Sequence, residues 1–421
     1  MRIVVVGGGI GGLALAQGLR RHGGSVVVVE RDVDLARTGG YRLHLGARAL
    51  AALREVLDPS LVELLYASSA TNAFDVDITV RDHRGRLLVH VREGEGRGSL
   101  DVDRVTLRLL LATGLDDVLL RGRTCTGHRQ DDEGVVVSLD DGSELRADVL
   151  VGADGVASLT AAALAGGPTS RPVGVSGLAG STRAQALRRR SLDLLDGGSV
   201  LAVGPGGAGL YVALHDPAGR SAVRLPAGLP DPVRTREPVV IWGLVAVDGV
   251  LPSSVRSSPP AERVHAAGAV LRQRRWSDDL VEVVERTDAN GAGAFRFSAA
   301  DPAAIAPWPA SRVTALGDAV HAVPPTGGQG AATAVVDAAL LCTHLAAAVR
   351  GEVTPAMALH DYEKAMRPYA AAAVRESLEP LRWIRASASG AGALAARAVL
   401  PAATTVAATV RRLRRADRHQ R

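Results

Sequence analysis

The sequence predicts an α/β fold in which a parallel-sheet domain carries an inserted, mostly antiparallel β-sheet domain and a C-terminal helical segment. At the N-terminus, Ile3 to Val6 and Ser25 to Val29 are β-branched runs separated by a glycine-rich turn and a helix. From Gly166 to about Val270 the character changes, and strand-like runs alternate with Gly/Pro turns. The Ala-rich sequence after about Ala331 favours helix, which is expected to continue after Ala339 to about Ala386.

Length and composition exclude several classes of protein. A chain of 421 residues with 47% hydrophobic residues is expected to form two or three globular domains. Its 49 basic residues barely exceed its 44 acidic ones, which gives no reason to expect a nucleic-acid partner. Cys125 and Cys342 lack metal-binding spacing and are expected to be buried thiols. No uninterrupted apolar run of about 18 residues marks a membrane span, so we expect a cytoplasmic protein.

A glycine pattern follows the first strand. Gly7, Gly9 and Gly12 spell GxGxxG, and Glu30 ends the second strand where an acidic residue can bind a ribose hydroxyl. The first glycine permits the tight turn, the second admits a pyrophosphate, and the third lets helix and strand pack closely. Within a complete βαβ unit this pattern predicts a Rossmann-like dinucleotide site, but it does not distinguish FAD from NAD.

The stretch from Ala315 to Ala339 contains a second set of candidate residues. A short apolar strand ends at Gly317-Asp318, two prolines follow, and Gly328 and Gly330 open a long helix. Asp318 is placed to accept a hydrogen bond from a sugar hydroxyl, and a glycine-lined helix N-terminus favours an anion. Taken alone, the stretch is equally consistent with an ordinary loop-to-helix junction.

Other candidates are weaker when each is taken alone. Arg31 begins a basic segment, and Arg42, which follows two glycines, either reaches a cofactor or is simply solvated. Asp154-Gly155 ends a parallel-type strand, where ligands bind in open α/β sheets, although Asp-Gly is also a common turn. A second GxGxxG, from Gly204 to Gly209, precedes a strand rather than a helix and is interpreted as a loop.

In combination, these motifs resemble the flavoprotein monooxygenases of the para-hydroxybenzoate hydroxylase fold, the group A flavoprotein hydroxylases. The resemblance covers about the first 170 residues and again the segment from Trp308 to Ser377. It implies that the GxGxxG glycines hold the FAD pyrophosphate and that Glu30 holds the adenosine ribose. It also implies that Arg104, the arginine of an R-x-x-L element, supports the cofactor.

The resemblance assigns roles to the later motifs as well. Asp154 would lie near FAD and the path of the reductant, Asp318 would bind the ribityl chain, and residues 324–330 would run beside the isoalloxazine. Two positions depart from the family pattern. Ala161 stands where the family usually has an arginine, and Ala332 stands where it often has an asparagine. The first departure concerns support of the Asp-Gly turn and NADPH contacts, and the second a side chain near the flavin.

The resemblance further implies a reaction. FAD would be bound non-covalently, NADPH or NADH would reduce it transiently, and one oxygen atom of O2 would enter a small organic substrate. Apolar runs of the sheet domain, including Trp242, favour a bulky, aromatic or polycyclic substrate. Phe295 and Phe297 alternate like strand residues, so both either face one pocket wall or pack in the core. Two alternatives stay open: a flavin oxidase or dehydrogenase of the same fold that inserts no oxygen, and a non-catalytic redox sensor.

The same resemblance divides the chain into three parts. Residues 1–72, 99–168 and 300–350 would form the FAD-binding domain, 73–98 and 169–299 the substrate domain, and 351–421 the C-terminal helices. The C-terminus is rich in arginine, from Arg411 to Arg421. Such an end either contacts a membrane surface or, more commonly, is a solvated terminus.

Overall fold

The computed structural model describes residues 1–36, 42–72, 76–93, 98–195, 198–215, 237–288 and 291–388. The predicted basic C-terminal tail therefore lies outside the described residues. The described strands are β1 (Arg2–Val6), β2 (Ser25–Glu30), β3 (Arg42–Leu45), β4 (Ser69–Asn72), β5 (Val76–Asp82), β6 (Leu87–Glu93), β7 (Ser99–Asp103), β8 (Leu119–Arg121), β9 (Cys125–Asp131), β10 (Gly134–Leu139), β11 (Glu144–Ala147), β12 (Val149–Gly152), β13 (Ser170–Arg183), β14 (Ser199–Gly204), β15 (Ala208–His215), β16 (Val239–Val247), β17 (Gly293–Ala300) and β18 (Val313–Ala315). The described helices are α1 (Ile10–Arg21), α2 (Ala47–Val56), α3 (Pro59–Ala67), α4 (Arg104–Ala112), α5 (Leu159–Ala165), α6 (Arg189–Asp193), α7 (Pro260–Gln273), α8 (Asp278–Glu285), α9 (Asp318–His321), α10 (Gly330–Val349) and α11 (Pro355–Ala386).

A parallel sheet of order β18-β12-β1-β2-β8 forms the centre of the first domain. Strands β1, β2, β12 and β18 are mostly buried, which explains their Val- and Ile-rich composition, whereas the edge strand β8 is partly exposed. One face packs against helices that include α1, α2, α4 and α10, and the other packs against the three-stranded sheet β11-β10-β9. The Rossmann-like domain that the GxGxxG unit predicted is therefore confirmed.

A seven-stranded sheet of order β17-β13-β16-β15-β14-β5-β6 forms the inserted domain. Its pairs are antiparallel except for β14 with β5. One face buries Trp242 and Leu244 against α7 and α8, whereas the other places Val245 against Leu381 and Ile384 of α11. We call the second the inner face, because it is turned toward α11 and the first domain. The predicted mostly antiparallel insertion is confirmed.

Two details differ from the expectation. The continuous helix predicted after Ala339 is interrupted, since α10 ends at Val349 and α11 begins at Pro355 after a turn at Gly351, whose φ is +77°. Only glycine adopts that backbone readily, so the helix ends there. The second GxGxxG forms the turn between β14 and β15, as expected for a loop.

Helix α10 is long and apolar enough to cross a membrane by length and composition. In its most apolar window, however, 61% of the residues are buried inside the protein. Its hydrophobic residues pack in the core with α1 and α11. The same sequence property is common in core helices of globular proteins.

Candidate functional site: a cofactor cleft at the carboxyl ends of the parallel strands

The GxGxxG turn connects β1 to α1, and two of its positions, Gly7 and Gly12, have no room for a side chain. Gly7 has a φ of +113°, and a Cβ added to it would collide with the carbonyl of Ala153. A Cβ on Gly12 would collide with the carbonyl of Gly7, so this glycine permits the close packing of turn and helix. Gly9 caps α1 and has no described atom within 4 Å of its Cβ position. The N-terminus of α1 is therefore open for an anion.

Glu30 is held in a buried ion pair behind this turn. Its Oε2 accepts a hydrogen bond from the Gly8 amide at 2.6 Å, and its Oε1 accepts one from the Asp32 amide at 2.7 Å. The Nη2 of Arg108 lies 3.2 Å from Oε2. The carboxylate thus supports the turn, and each oxygen keeps a second lone pair for a hydroxyl donor.

Arg108 was not predicted from the sequence. Its guanidinium is buried and donates to the Gly8 carbonyl at 2.9 Å, to Asp32 Oδ2 at 2.8 Å and to the Leu35 carbonyl at 3.1 Å. It joins α4 to the GxGxxG turn and to the segment after β2. An arginine among the buried positions of an amphipathic helix was the signal in the sequence that could have identified it.

Asp154 follows β12 directly and closes a tight turn. Its Oδ2 accepts from the Leu159 amide at 3.0 Å, while Oδ1 is buried without a partner among the described residues. Gly155 has a φ of +80°, the left-handed backbone of such turns. Ala161 is fully buried at the start of α5, where the N-cap Ser158 accepts a hydrogen bond from its amide. Ala161 occupies the position where the family usually has an arginine, and in this chain its side chain is part of the buried core.

Asp318 begins α9 shortly after β18, and the residue is partly buried with its Oδ1 fully shielded. Burial raises its pKa, although His321 and Arg104 act in the opposite direction. Its Oδ1 has no described hydrogen-bond partner, and the Cβ position of Gly330 lies 3.6 Å from that oxygen. Gly328, with a φ of +63°, turns the chain into α10. The structure therefore brings Asp318 and the glycine-lined start of α10 together, as the sequence suggested.

A buried polar cluster lies directly behind Asp318. His321 Nε2 is 2.5 Å from Asp337 Oδ2, and both side chains are fully buried. Asp337 also accepts from the Gly317 amide at 2.8 Å and from the Tyr369 hydroxyl at 2.6 Å. Burial lowers the pKa of His321, but Asp337 outweighs that effect and the pKa is raised. The sequence analysis missed this cluster, and a lone acidic residue on the apolar helix α10 was the available signal.

The three predicted arginines have different surroundings. Arg104 starts α4, and it donates no hydrogen bond to a described residue; burial lowers its pKa, and the nearby Asp318 opposes that effect. Arg42 lies 3.2 Å from Asp101 and donates to Ser199, Tyr211 and the Leu214 carbonyl of the inserted sheet. Arg31 is exposed. Arg104 is thus available to a ligand at Asp318, whereas Arg42 connects the two domains.

The turns converge because β1, β12 and β18 are neighbours in the parallel sheet. A Cβ on Gly7 would approach the Asp154 amide within 2.9 Å, and a Cβ on Gly11 would approach Leu316 within 2.6 Å. The carboxyl ends of parallel strands are where open α/β sheets bind ligands. This edge has an open helix N-terminus, two buried carboxylate oxygens without described partners, and Arg104, which donates no hydrogen bond to a described residue. These features fit a dinucleotide such as FAD.

Comparisons with known proteins agree with this geometry. The profile of an NAD(P)-binding Rossmann-like domain matches residues 5–61, and that of an FAD binding domain matches residues 295–377. The dual O-methyltransferase/FAD-dependent monooxygenase elcB of Phaeosphaeria nodorum is 30% identical over 377 residues, covering 80% of this chain and 39% of that protein. The ubiquinone hydroxylase UbiL of Rhodospirillum rubrum is 29% identical over 375 residues, covering 87% of this chain and 77% of that protein.

A solved structure extends the similarity to the fold. A crystal structure from Photorhabdus luminescens, described as an FAD containing monooxygenase, matches with a TM-score of 0.76 at 27% identity. The match covers 91% of this chain and 98% of that one. The fold and the site therefore define an FAD-binding flavoprotein.

More specifically, the chain is similar in sequence to FAD-dependent monooxygenases and in fold to an FAD containing monooxygenase. The chain spans 39% of the length of elcB. It spans 44% of the length of two further dual O-methyltransferase/FAD-dependent monooxygenases, the CTB3 proteins of Cercospora beticola and Cercospora nicotianae.

Proposed function

We propose that this chain is an FAD-dependent monooxygenase that consumes NADPH or NADH and inserts one oxygen atom from O2 into a bulky, mostly apolar, aromatic or polycyclic molecule. The observation that carries the proposal is the convergence of three ligand-binding turns at one edge of the parallel sheet. Two of these turns present buried carboxylate oxygens without described partners, Asp154 Oδ1 and Asp318 Oδ1. Buried acceptors of this kind are expected to receive hydrogen bonds from a ligand.

The residues of the cleft have distinct tasks in this proposal. The N-terminus of α1, at Gly9, binds the pyrophosphate, and Glu30 accepts from the adenosine ribose. Asp318 accepts from the ribityl hydroxyls, and Arg104 provides positive charge beside it. The helix start at Gly328 and Gly330 favours negative charge on the reduced ring system.

The cofactor, when bound, supplies the redox chemistry by accepting a hydride from NAD(P)H and passing the electrons to O2. The protein holds the substrate and keeps water away from the reaction. The inner face of the inserted sheet and α11 provide the apolar walls, since Val245, Leu381 and Ile384 are buried there. Two kinds of relative, a ubiquinone hydroxylase and zeaxanthin epoxidases, are named for apolar organic substrates, which supports such a substrate here.

Two further properties belong to the proposal. Both described cysteines, Cys125 and Cys342, are free and buried, which supports a reducing compartment such as the cytoplasm. We also propose that FAD is bound without a covalent link, because no histidine or cysteine belongs to a recognised attachment motif.

The experiment is a screen of hydroxybenzoates and polycyclic phenols for compounds that accelerate NAD(P)H oxidation by the FAD-loaded protein. Stimulation by polycyclic phenols, with isotope from labelled O2 in the product, supports the proposal. Stimulation with hydrogen peroxide as the only oxygen product identifies an oxidase. FAD binding without turnover of NAD(P)H by any compound identifies a redox sensor.

A further inference from the structure

Gly243 lies in β16, the third of the seven strands of the inserted sheet. It is not among the glycines with positive φ, so the backbone does not require glycine there. Glycine inside a strand weakens the sheet, and it often marks a place where a ligand or another chain approaches closely. This residue therefore needs an explanation other than backbone geometry.

Other glycines of this sheet have a packing reason. A side chain occupies the space that a Cβ would take at Gly177 (Phe297, 2.8 Å), Gly180 (Trp242, 2.6 Å), Gly209 (Ile384, 2.9 Å) and Gly293 (Phe295, 2.9 Å). At Gly243, by contrast, no described atom lies within 4 Å of the Cβ position. Gly243 is also partly exposed although its strand is central. Neither packing nor backbone conformation explains this glycine.

The open side of Gly243 belongs to the inner face. Side chains alternate along β16, so Trp242 packs toward α7 and α8, while Gly243 shares the other face with Val245. Val245 contacts Leu381 and Ile384 of α11. Gly243 has two cross-strand neighbours, Ala179 of β13 and Tyr211 of β15. The Tyr211 hydroxyl lies 3.3 Å from Arg42 of β3. The opening thus lies between two contacts that the sheet makes with the rest of the molecule.

One edge of this opening is polar. The Tyr211 hydroxyl donates to Ser199 Oγ at 2.9 Å, and Arg42 Nη2 donates to the same oxygen at 3.0 Å. Ser199 Oγ therefore accepts two hydrogen bonds, and its own proton is donated to no described residue. Because Asp101 lies 3.2 Å from Arg42, the positive charge of this edge is compensated. The edge suits a neutral oxygen acceptor better than a carboxylate.

We propose that Gly243 determines substrate specificity by letting a flat ring system lie against the backbone of the inner face. An uncharged oxygen substituent on that ring system accepts a hydrogen bond from the Ser199 hydroxyl. The substrate class is a planar, at least bicyclic phenol, quinone or ketone. This inference rests on the proposed function, because it takes the inner face as the substrate side of the cleft. A β-carbon at position 243 would lift such a ring from the sheet.

The test measures binding rather than turnover, with the FAD-loaded full chain and changes in the flavin absorption spectrum. The probes are 2-naphthol, naphthalene, which is flat without an oxygen, and 1-adamantanol, which has a hydroxyl on a bulky cage. We expect 2-naphthol to bind most tightly. Ser199→Ala should weaken 2-naphthol binding about three- to tenfold and leave naphthalene binding unchanged.

Gly243→Val should weaken 2-naphthol binding more than tenfold while the melting temperature stays equal or rises, because valine favours strands. Gly127→Val is the matched control: Gly127 lies in β9 of another sheet, and it too has no described atom within 4 Å of its Cβ position. The control should bind 2-naphthol like the wild type. If Gly243→Val loses FAD, Gly243→Ala replaces it, with a smaller loss of probe binding expected.

Three results would overturn the inference: no probe binds the wild type, 1-adamantanol binds as tightly as 2-naphthol, or both position-243 variants bind 2-naphthol within twofold of the wild type. The outcome is separable from that of the proposed function. Probe binding that depends on Gly243, without any oxygen insertion, would leave this inference standing and remove the monooxygenase proposal.

Discussion

Asp318 combines two opposing roles at the scale of the single residue. Its carboxyl group is buried, and Oδ1 has no described partner, which disfavours the charged form in the apo-protein. The same unpaired oxygen makes it a strong acceptor for a cofactor hydroxyl. In the proposed function, Asp318 therefore serves cofactor binding at the expense of the stability of the apo-protein.

The first prediction concerns Asp318→Asn. FAD affinity should fall about ten- to a hundredfold, since one charged acceptor is lost, and titration of FAD into the apo-protein measures this. Thermal unfolding of the apo-variant should show increased stability at neutral pH. Because the folded-state pKa lies above the ordinary 3.8, ionisation destabilises the fold; that cost is absent below pH 3.8 and complete above the folded-state pKa.

The exposed Asp116, whose side chain is 80% exposed, gives the control Asp116→Asn, which should change neither quantity. Unchanged FAD affinity in Asp318→Asn would show that this turn does not contact the cofactor.

Arg108 carries the second prediction. Arg108→Met leaves Glu30 buried without its charged partner and should destabilise the protein by about 3–5 kcal/mol in denaturant unfolding. Arg121→Met, in an exposed pair with Asp116, should cost less than about 1 kcal/mol. Equal effects of the two substitutions would contradict the role of Arg108 in holding the GxGxxG turn.

The structural roles of some residues could be predicted from the sequence, and those of others could not. Gly7 and Gly12 were predictable because the βαβ unit fixes their backbone geometry within a few positions. Arg108 was not, because its partner Glu30 is 78 positions away and only the folded chain brings them together. Arg42 was ambiguous for the same reason, since its partners Ser199 and Tyr211 belong to the inserted sheet.

At the scale of elements, α10 connects the site to the core. It begins at the glycine turn beside Asp318, and about two turns further on it carries Asp337, which binds His321 and the Gly317 amide. The turn that presents Asp318 is thus held by the helix that follows it. Tyr369 of α11 donates to Asp337 from the other side.

The third prediction is that Asp337→Asn costs about 3–5 kcal/mol of stability at low pH, since a buried charged pair loses one partner. His321 has a raised pKa, so its contribution is full below the ordinary 6.5 and is lost as the pH rises through the folded-state pKa. The destabilisation, measured by urea unfolding of the apo-protein across this range, should therefore shrink as the pH rises.

Tyr369→Phe is the control, because it removes only a hydrogen bond to Asp337 and should give a smaller loss without this pH dependence. A loss in Asp337→Asn that is the same at all pH values would show that His321 is uncharged in the cluster.

For the strands, the sequence predicted where they lie along the chain but not which neighbours each face contacts. The strand β16 was predictable from the apolar run Val239 to Val247, but the sequence does not state which of its faces meets helices α7 and α8. Trp242 was a candidate for the substrate side, and the structure buries it on the helix side, where it donates to Thr287. Phe295 and Phe297 do lie on the inner face, the first partly exposed and the second buried.

At the scale of the whole molecule, the fold class was predictable because each domain has its own sequence pattern. Continuous β-branched runs with a GxGxxG turn indicate the parallel sheet, and strand-like runs that alternate with Gly/Pro turns indicate the inserted sheet. The relation between the domains was not predictable, since it depends on contacts such as Arg42 to Tyr211 and Val245 to Ile384, which join distant segments. The substrate side of the cleft that we propose depends on this relation.

Oxygen transfer is the central claim, and mass spectrometry of the product formed under ¹⁸O2 tests it most directly. The FAD-loaded chain is supplied with NAD(P)H and the best stimulating compound from the screen. We predict that the product contains one ¹⁸O atom. We also predict that the yield approaches one molecule of product for each NAD(P)H consumed. A product without ¹⁸O, with hydrogen peroxide accounting for the NAD(P)H consumed, would contradict the assignment as a monooxygenase.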